Sequence, residues 1–458
     1  MDGASELQLY YTVNMNMKNS GSSILVAVCL LALQLCPSTN AFVSPSASSS
    51  CPLQQRMMPS TSTALFMAKS KTKKKKSAAS SGGLKGFGGS SPKATAAEGT
   101  IDRSKSALTF YKYLERNGAE PNLKRVGLGY FPLQIGPTKK DVIQLRGVIA
   151  LRDIPKGEPI IEIPYEMAID LGRESSDPTL PATTLLQKYC VWKSGSDGPP
   201  ADKERGDYFA MLPEYMSEDC LGSTDFFSDK ALEMLQSPLI TEETLSRKEL
   251  VHLRYERDVE TMAQMSSNLY RWSKEEAATE SHLQWASWII TSRVLTVQGP
   301  PESGTANRLL IPLIDMCNHD RDSPHILTGR AMAGATLKVV AGEDVKAGDA
   351  INISYGGSVE GNDRFIQDYG FLDSGGSKER GKSDVVEAYK IVAKKLTGTK
   401  RALTKLTVDD QERALDALRA TTLEEDQEML NSGEITNIDE RSALEFRIGM
   451  KKALAGVL

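Results

Sequence analysis

The sequence predicts an α+β fold with small split β-sheets, a long helical insertion and an all-α C-terminal domain. Three observations predict it. Strand-like runs fall in two distant places, around 142–164 and 335–357. Between them, from about 180 to 300, the chain follows helical spacing with few Gly or Pro inside its runs. After Leu372 and the loop "DSGGSKERGKS", apolar residues recur at helical spacing to the end. The βαβ alternation that a doubly wound parallel sheet requires is absent.

Order is predicted to begin near Ser104. There "SALTFYKYLERNG" places Leu108, Tyr111 and Leu114 on one helical stripe, closed by Gly118. "VIQLRGVIALRDIPKGEPIIEIP" then reads as two strands. Val148, Ala150 and Leu151 belong to the first, Ile160, Ile161 and Ile163 to the second, and the turn "IPKGEP" joins them. The insertion contains "KALEMLQSPL", "KELVHLRYERDVETM" and "EEAATESHLQWASWIITSRVL". Strand signals return in "ATLKVVAGEDVKAGDAINISYGG", where Leu337 and Val339 alternate, as do Ile351, Ile353 and Tyr355. In the tail, Val385, Val386, Tyr389, Val392 and Leu396 form one stripe, and Leu415, Leu418 and Leu423 another. Thr407 with Asp410 gives a helix-start signal, and a last helix is expected within 439–458.

Charge is divided unevenly along the chain. Of 458 residues with net charge −4, Asp2 and Glu6 are the only acids before Glu98, against ten basic residues. Residues 98–458 carry 45 basic and 57 acidic side chains, a net charge of −12. So acidic a body lacks the basic footprint of a nucleic-acid binder. Cysteines at 29, 36, 51, 190, 220 and 317 form no CxC or CxxC pair, which argues against a zinc site or a disulfide framework. Phosphate-loop, HExxH and GxSxG motifs are absent, and the Gly cluster "GGLKGFGGS" does not lie between a strand and a helix.

The N-terminus reads as targeting. Lys18 precedes the apolar "SSILVAVCLLALQLC", of signal-peptide length and short for a membrane span, and Thr39 and Ala41 suit a cleavage site. From Phe42 to Ala97 the chain is rich in Ser, Ala and Lys without one acid, a transit-peptide composition. A signal peptide over 1–41 and a transit segment over 42–103, with Phe42 at the junction, resemble the bipartite leaders of algae with complex plastids. The expected destination is the chloroplast stroma, with the secretory pathway as the alternative. No stable membrane insertion is expected once the leader is removed. "KSKTKKKKS" within it reads as a solvated stretch.

Three segments carry the chemistry: "RGVIALRDIPKGEPIIEIP", then "SRVLTV" followed by "LLIPLIDMCNHD", then "GEDVKAGDAINISYGG" running on to "YGFLD". Their wording and order resemble SET-domain protein methyltransferases of the Rubisco large-subunit lysine methyltransferase group, over about 104–372. The resemblance implies a SET fold with a knot-like crossing and a helical insertion at about 180–300. A shortened substrate-binding helical domain would span 380–458. It also implies S-adenosyl-L-methionine as cofactor and a protein substrate, Rubisco large subunit or another stromal enzyme such as aldolase. Carried over residue by residue, Asn318 and His319 contact the cofactor and Arg293 reaches both cofactor and substrate. Asp315 and Tyr369 line the target pocket, and Tyr355 is catalytic. The cofactor loop usually reads E-G-x-G; here the matching stretch is Gln144, Leu145, Arg146 and Gly147, which departs in two letters.

The chemistry suits these residue types. Methyl transfer from a sulfonium is an in-line displacement that depends on positioning and on excluding water. The attacking lysine must be neutral, which at pH 7 costs roughly 4.6 kcal/mol for a side chain that ordinarily titrates at ~10.4. An apolar channel and a nearby cation lower that cost, and a tyrosine hydroxyl can orient the amine without charge. Gly356 and Gly357 would let the backbone approach closely. His252, His282, His325 and Cys317 read as structural residues. Two alternatives stand beside lysine methylation. Histidine methylation is disfavoured because Leu295 stands where the histidine-modifying branch carries Asn. A catalytically degenerate binding module would fail to bind the cofactor.

Overall fold

The computed structural model describes residues 99–134, 142–175, 177–195, 204–265, 268–355, 361–373, 382–392 and 406–457. Thr100–Ile101, at the end of the expected transit segment, pair with the first sheet, while residues 1–98, Gly356, Gly357 and Leu396 lie outside the described residues. Eleven strands are found among them: β1 (Thr100–Ile101), β2 (Val126–Gln134), β3 (Val142–Ala150), β4 (Pro159–Pro164), β5 (Ile169–Arg173), β6 (Leu295–Gln298), β7 (Ala306–Leu310), β8 (Asn318–His319), β9 (Ile326–Thr328), β10 (Thr336–Val340) and β11 (Ala350–Ile353). They form one five-stranded sheet, β1-β2-β3-β11-β8, and two three-stranded sheets, β4-β10-β9 and β5-β7-β6. All pairings are antiparallel except β11 with β8, which run parallel. Small sheets interleaved along the chain are the α+β arrangement the two separated strand regions predict.

The first helix, α1 (Lys105–Arg116), starts where expected: Ser104 Oγ accepts the Ala107 amide. Its buried face differs from the expected stripe. Ala107, Phe110, Tyr113 and Leu114 are buried, whereas Leu108 is 49 % exposed. The aromatic pair Phe110 and Tyr113, which packs against Tyr208, sets the rotation of the helix. Leu151 likewise falls just past the end of β3 and is exposed. In β4, Ile160, Ile161 and Ile163 are buried on both faces, so this strand is interior to the core.

The insertion is helical. It holds α2 (Thr179–Ser194), α3 (Pro238–Arg254) and α4 (Glu280–Arg293), together with shorter turns. Helix α4 buries Leu283, Trp285, Ala286, Trp288, Ile289 and Ile290, covering most of its circumference, as a core helix does. Its last turn delivers Arg293 to the site.

The tail contains α5 (Lys382–Val392), α6 (Val408–Leu418), α7 (Leu423–Asn431) and α8 (Ile438–Val457). Thr407 and Asp410 form the expected capping box. The second stripe is divided, because Leu423 opens α7 while Leu415 and Leu418 sit on α6. Ala388, Ile391, Leu418, Phe446 and Met450 share one buried cluster with Leu232, Leu235 and Ile240 of the insertion and with Ile366. No helix among the described residues is long and apolar enough to cross a membrane.

Candidate active site

The run "LLIPL" continues past the end of β7 to Leu313, a residue held at φ +71°, where a side chain is strained. The strained turn sends the chain through a 3-10 turn (Ile314–Met316) into β8, where Asn318 faces Asn352 and His319 faces Ile353. The polar end of the apolar run is thereby set against β11, one strand in from Gly147 on β3.

Each residue of the pair is fixed by a different partner. Asn318 Nδ2 donates to the Arg146 carbonyl at 2.9 Å. A Cβ on Gly147 would lie 2.5 Å from the same Nδ2, so only glycine admits this approach. His319 Nδ1 accepts the Tyr355 amide at 3.1 Å, which leaves Nε2 to carry the proton of the neutral ring. Nε2 is buried with no hydrogen-bond partner and stands 3.8 Å from Asp373 Oδ2, too far for a bond.

Tyr355 follows β11 by two residues, so it lies beyond the strand whose inner face Ile351 and Ile353 occupy. Its hydroxyl donates to the Cys317 carbonyl at 2.6 Å, and its own carbonyl accepts the Tyr369 hydroxyl at 3.3 Å. Burial drives the Tyr355 pKa up, with Arg293 opposing, so the hydroxyl keeps its proton at any physiological pH. The rings of His319, Tyr355, Phe365, Tyr369 and Phe371 form one connected cluster, with neighbouring centroids 4.8–6.4 Å apart. They make a wall of aromatic faces about Tyr355.

Arg293 donates to the Asp315 carbonyl at 2.9 Å, while the Asp315 carboxylate lies farther off, 3.7 Å away. Burial pushes the Asp315 carboxyl up to about 6 against the pull of Arg293. Tyr208, wholly buried, faces the same carboxyl from the insertion, and burial raises its pKa well above the ordinary range.

Arg293, Asp315, Asn318, His319, Tyr355 and Tyr369 thus form a chain of contacts in space. Gln144 and Leu145 are exposed in β3, opposite Pro132 and Phe131 of β2. The "QLRG" stretch is therefore strand and not loop, and only its Arg146 carbonyl and Gly147 touch the motif. Sequence reasoning passes over Phe365, Phe371, Asp373 and Tyr208. Phe371 and Asp373 stand in the quoted "YGFLD"; Tyr208, in a short helix of the insertion, gives no signal.

Residues 145–356 match the SET domain family. The chain is similar to the Pisum sativum ribulose-1,5 bisphosphate carboxylase/oxygenase large subunit N-methyltransferase, chloroplastic, at 23% identity over 308 residues, 62% of this chain and 55% of that protein. It is also similar to the Arabidopsis thaliana [fructose-bisphosphate aldolase]-lysine N-methyltransferase, chloroplastic, at 26% identity over 241 residues, 50% of this chain and 46% of that protein. The chain spans about half the length of the curated relatives it matches. A crystal structure of the SET domain of LSMT bound to lysine and AdoHcy aligns with a TM-score of 0.48 at 18% identity, covering 78% of this chain and 90% of that one.

Proposed function

We propose that this protein is a protein-lysine N-methyltransferase that uses S-adenosyl-L-methionine and acts on a plastid protein. The observation that carries the reading is the Tyr355 hydroxyl, held at 2.6 Å on the Cys317 carbonyl one residue before Asn318 and His319. A neutral, oriented hydroxyl beside a cofactor-type Asn-His pair is what methyl transfer to an amine requires.

The residues fit the cofactor. His319 Nε2 and Arg293 Nε are buried polar atoms with no hydrogen bond. Arg146, Arg293, Asn318 and His319 would hold it, with the exposed strand residues Gln144 and Leu145 at its edge. When bound, it supplies the electrophilic methyl of a sulfonium. Tyr355 would orient the amine lone pair through its hydroxyl, shared with the Cys317 carbonyl. Tyr369 braces Tyr355 from behind, and Asp315 beside Arg293 borders the target channel. The aromatic wall excludes water from the amine, which disfavours the ammonium form.

The plastid destination rests on the acid-free leader and on relatives named as chloroplastic. The same relatives make Rubisco large subunit or aldolase the first substrates to try. In this reading the SET unit spans 104–372 with its insertion at about 180–300, and the tail from 380 presents the substrate. The test is transfer of labelled methyl from S-adenosyl-L-methionine to stromal protein. Tyr355→Phe should keep cofactor binding and lose at least a hundredfold in rate. Equal incorporation by wild type and Tyr355→Phe would discard the mechanism, and label on imidazole nitrogen would reassign the target residue.

A further inference from the structure

On the far side of the wall that bears Tyr208 lies a cavity of about 380 Å³ lined by Tyr189, Trp192, Phe209, Tyr215 and Trp272. Two charges sit on it, the exposed side chains of Lys193 and Glu214. The Lys193 ammonium stands 4.3 Å from the centre of the Trp272 ring and 5.5 Å from that of Tyr189. The Trp272 ring is also stacked on His282 at 4.0 Å and on Tyr189 at 5.2 Å. Trp272 is therefore held by its aromatic neighbours, with the Lys193 cation over its ring.

The segment Gly206–Leu212 separates this cavity from the candidate active site. Tyr208 faces Asp315, and Met211 Sδ lies 3.6 Å from Arg146 Nη2, whereas Phe209, Ala210 and Leu212 line the cavity. Gly206 permits the closest packing, since a Cβ there would meet the Trp192 indole nitrogen at 2.2 Å. The two sites share one wall.

We propose that this cavity is a second ligand site, for a methylated ammonium group, and that Lys193 is its tethered competitor. The faces of Trp272 and Tyr189 attract a cation. The site already holds one, supplied by the chain itself. Its volume falls within the range of small-ligand pockets. A primary ammonium is strongly hydrated and would exchange that water for one carboxylate, Glu214. A tertiary or quaternary ammonium sheds less hydration and fits aromatic faces better. The ligand class is thus a methyl-lysine side chain or a similar organic cation.

Trp192 and Trp272 make the test direct. The full chain is titrated with Nα-acetyl-Nε-trimethyl-lysine methylamide, followed by tryptophan fluorescence. Parallel titrations use the unmethylated analogue and the uncharged isostere with carbon in place of the ammonium nitrogen. Saturable binding of the trimethyl compound is expected, with the isostere at least tenfold weaker. Lys193→Met should tighten the cation threefold or more, and Glu214→Gln should weaken it. Binding of S-adenosyl-L-methionine should be unchanged in both variants, which controls for folding. Equal binding of the isostere, no tightening in Lys193→Met, or no saturation in either protein would overturn the proposal. The readout involves no turnover, so its result is independent of whether the protein transfers methyl groups.

Discussion

Asn318 reaches across 172 positions of sequence to donate its side-chain amide to the Arg146 carbonyl. The bond fixes a strand of two residues, β8, whose parallel ladder with β11 is too short to hold it. Asn318 is therefore both a cofactor candidate and the pin that keeps its own strand in place.

Gly147→Ala should break this pin without touching a charged group. The new Cβ would sit 2.5 Å from Asn318 Nδ2, so the amide must leave the Arg146 carbonyl. An unpaired buried carbonyl costs about 1–3 kcal/mol. S-adenosyl-L-methionine binding, measured by calorimetry, should weaken at least tenfold. Asn318→Ala should lose a similar amount, and the double variant little more, because both remove one contact. Wild-type affinity in Gly147→Ala would contradict the arrangement.

The sequence makes these contacts only partly legible. Alternation at Leu337 and Val339 and the capping box at Thr407 express local periodicity, and both appear as expected. The rotation of α1 escapes local spacing because Phe110 and Tyr113 bury against Tyr208, a partner nearly a hundred residues away. "QLRG" stands where the resemblance implies a cofactor loop. In fact Gly147 faces Gly129 across a hairpin, where small residues let Asn318 come close. The motif letters Asn318, His319 and Tyr355 are readable. Their partners, the carbonyls of Arg146 and Cys317, are main-chain atoms and carry no residue signature.

Asp315 gives stability a pH dependence of known sign. Its folded carboxyl titrates at about 6, above the ordinary value near 3.8, because burial disfavours the charge. The unfolded chain gives up that proton first, so this group's contribution is fully present below pH 3.8 and is lost as pH rises through 6. The loss is about 3 kcal/mol. Asp315→Asn, neutral throughout, should lack it. Urea denaturation at pH 4 and pH 7 should show wild type falling relative to the variant by roughly 2 kcal/mol, since part of the loss precedes pH 4. A parallel pH dependence in the two proteins would place a charged Asp315 in the fold.

Two neighbouring glutamates on α3 should differ in worth. Glu243 takes Arg364 through two bonds, at 2.7 and 2.6 Å, and Arg247 links it to Asp368. These pairs bind the insertion to the segment that holds Phe365 and Tyr369. Glu242 pairs instead with Arg413, and both side chains are about half exposed. Glu243→Gln should destabilise by roughly 1–3 kcal/mol, because it strands a largely buried guanidinium. Glu242→Gln should cost about 0–1 kcal/mol, as exposed pairs do. Denaturant midpoints of the two variants decide this, and equal shifts would remove the network from any bracing role.

His282 should make the fold acid-sensitive in the opposite direction to Asp315. Its Nδ1 accepts the Thr279 amide at 2.9 Å to cap α4, and its ring lies on Trp272. Burial, with the Lys193 charge adding to it, pushes the imidazole down to about 4. The unfolded chain takes up a proton near the ordinary 6.5, which the folded protein refuses until about 4. Between those values the unfolded state binds more protons, so stability falls as pH drops. From pH 7.5 to 5 the loss through this one group is about 2 kcal/mol. His282→Gln keeps an acceptor for the Thr279 amide but cannot ionise. Its stability at pH 7.5 should be lower, since it forfeits the aromatic stack. Its fall between pH 7.5 and 5 should be about 2 kcal/mol smaller than that of wild type. If the two proteins lose equal stability on acidification, the ring is protonated in the fold and the cap is not neutral.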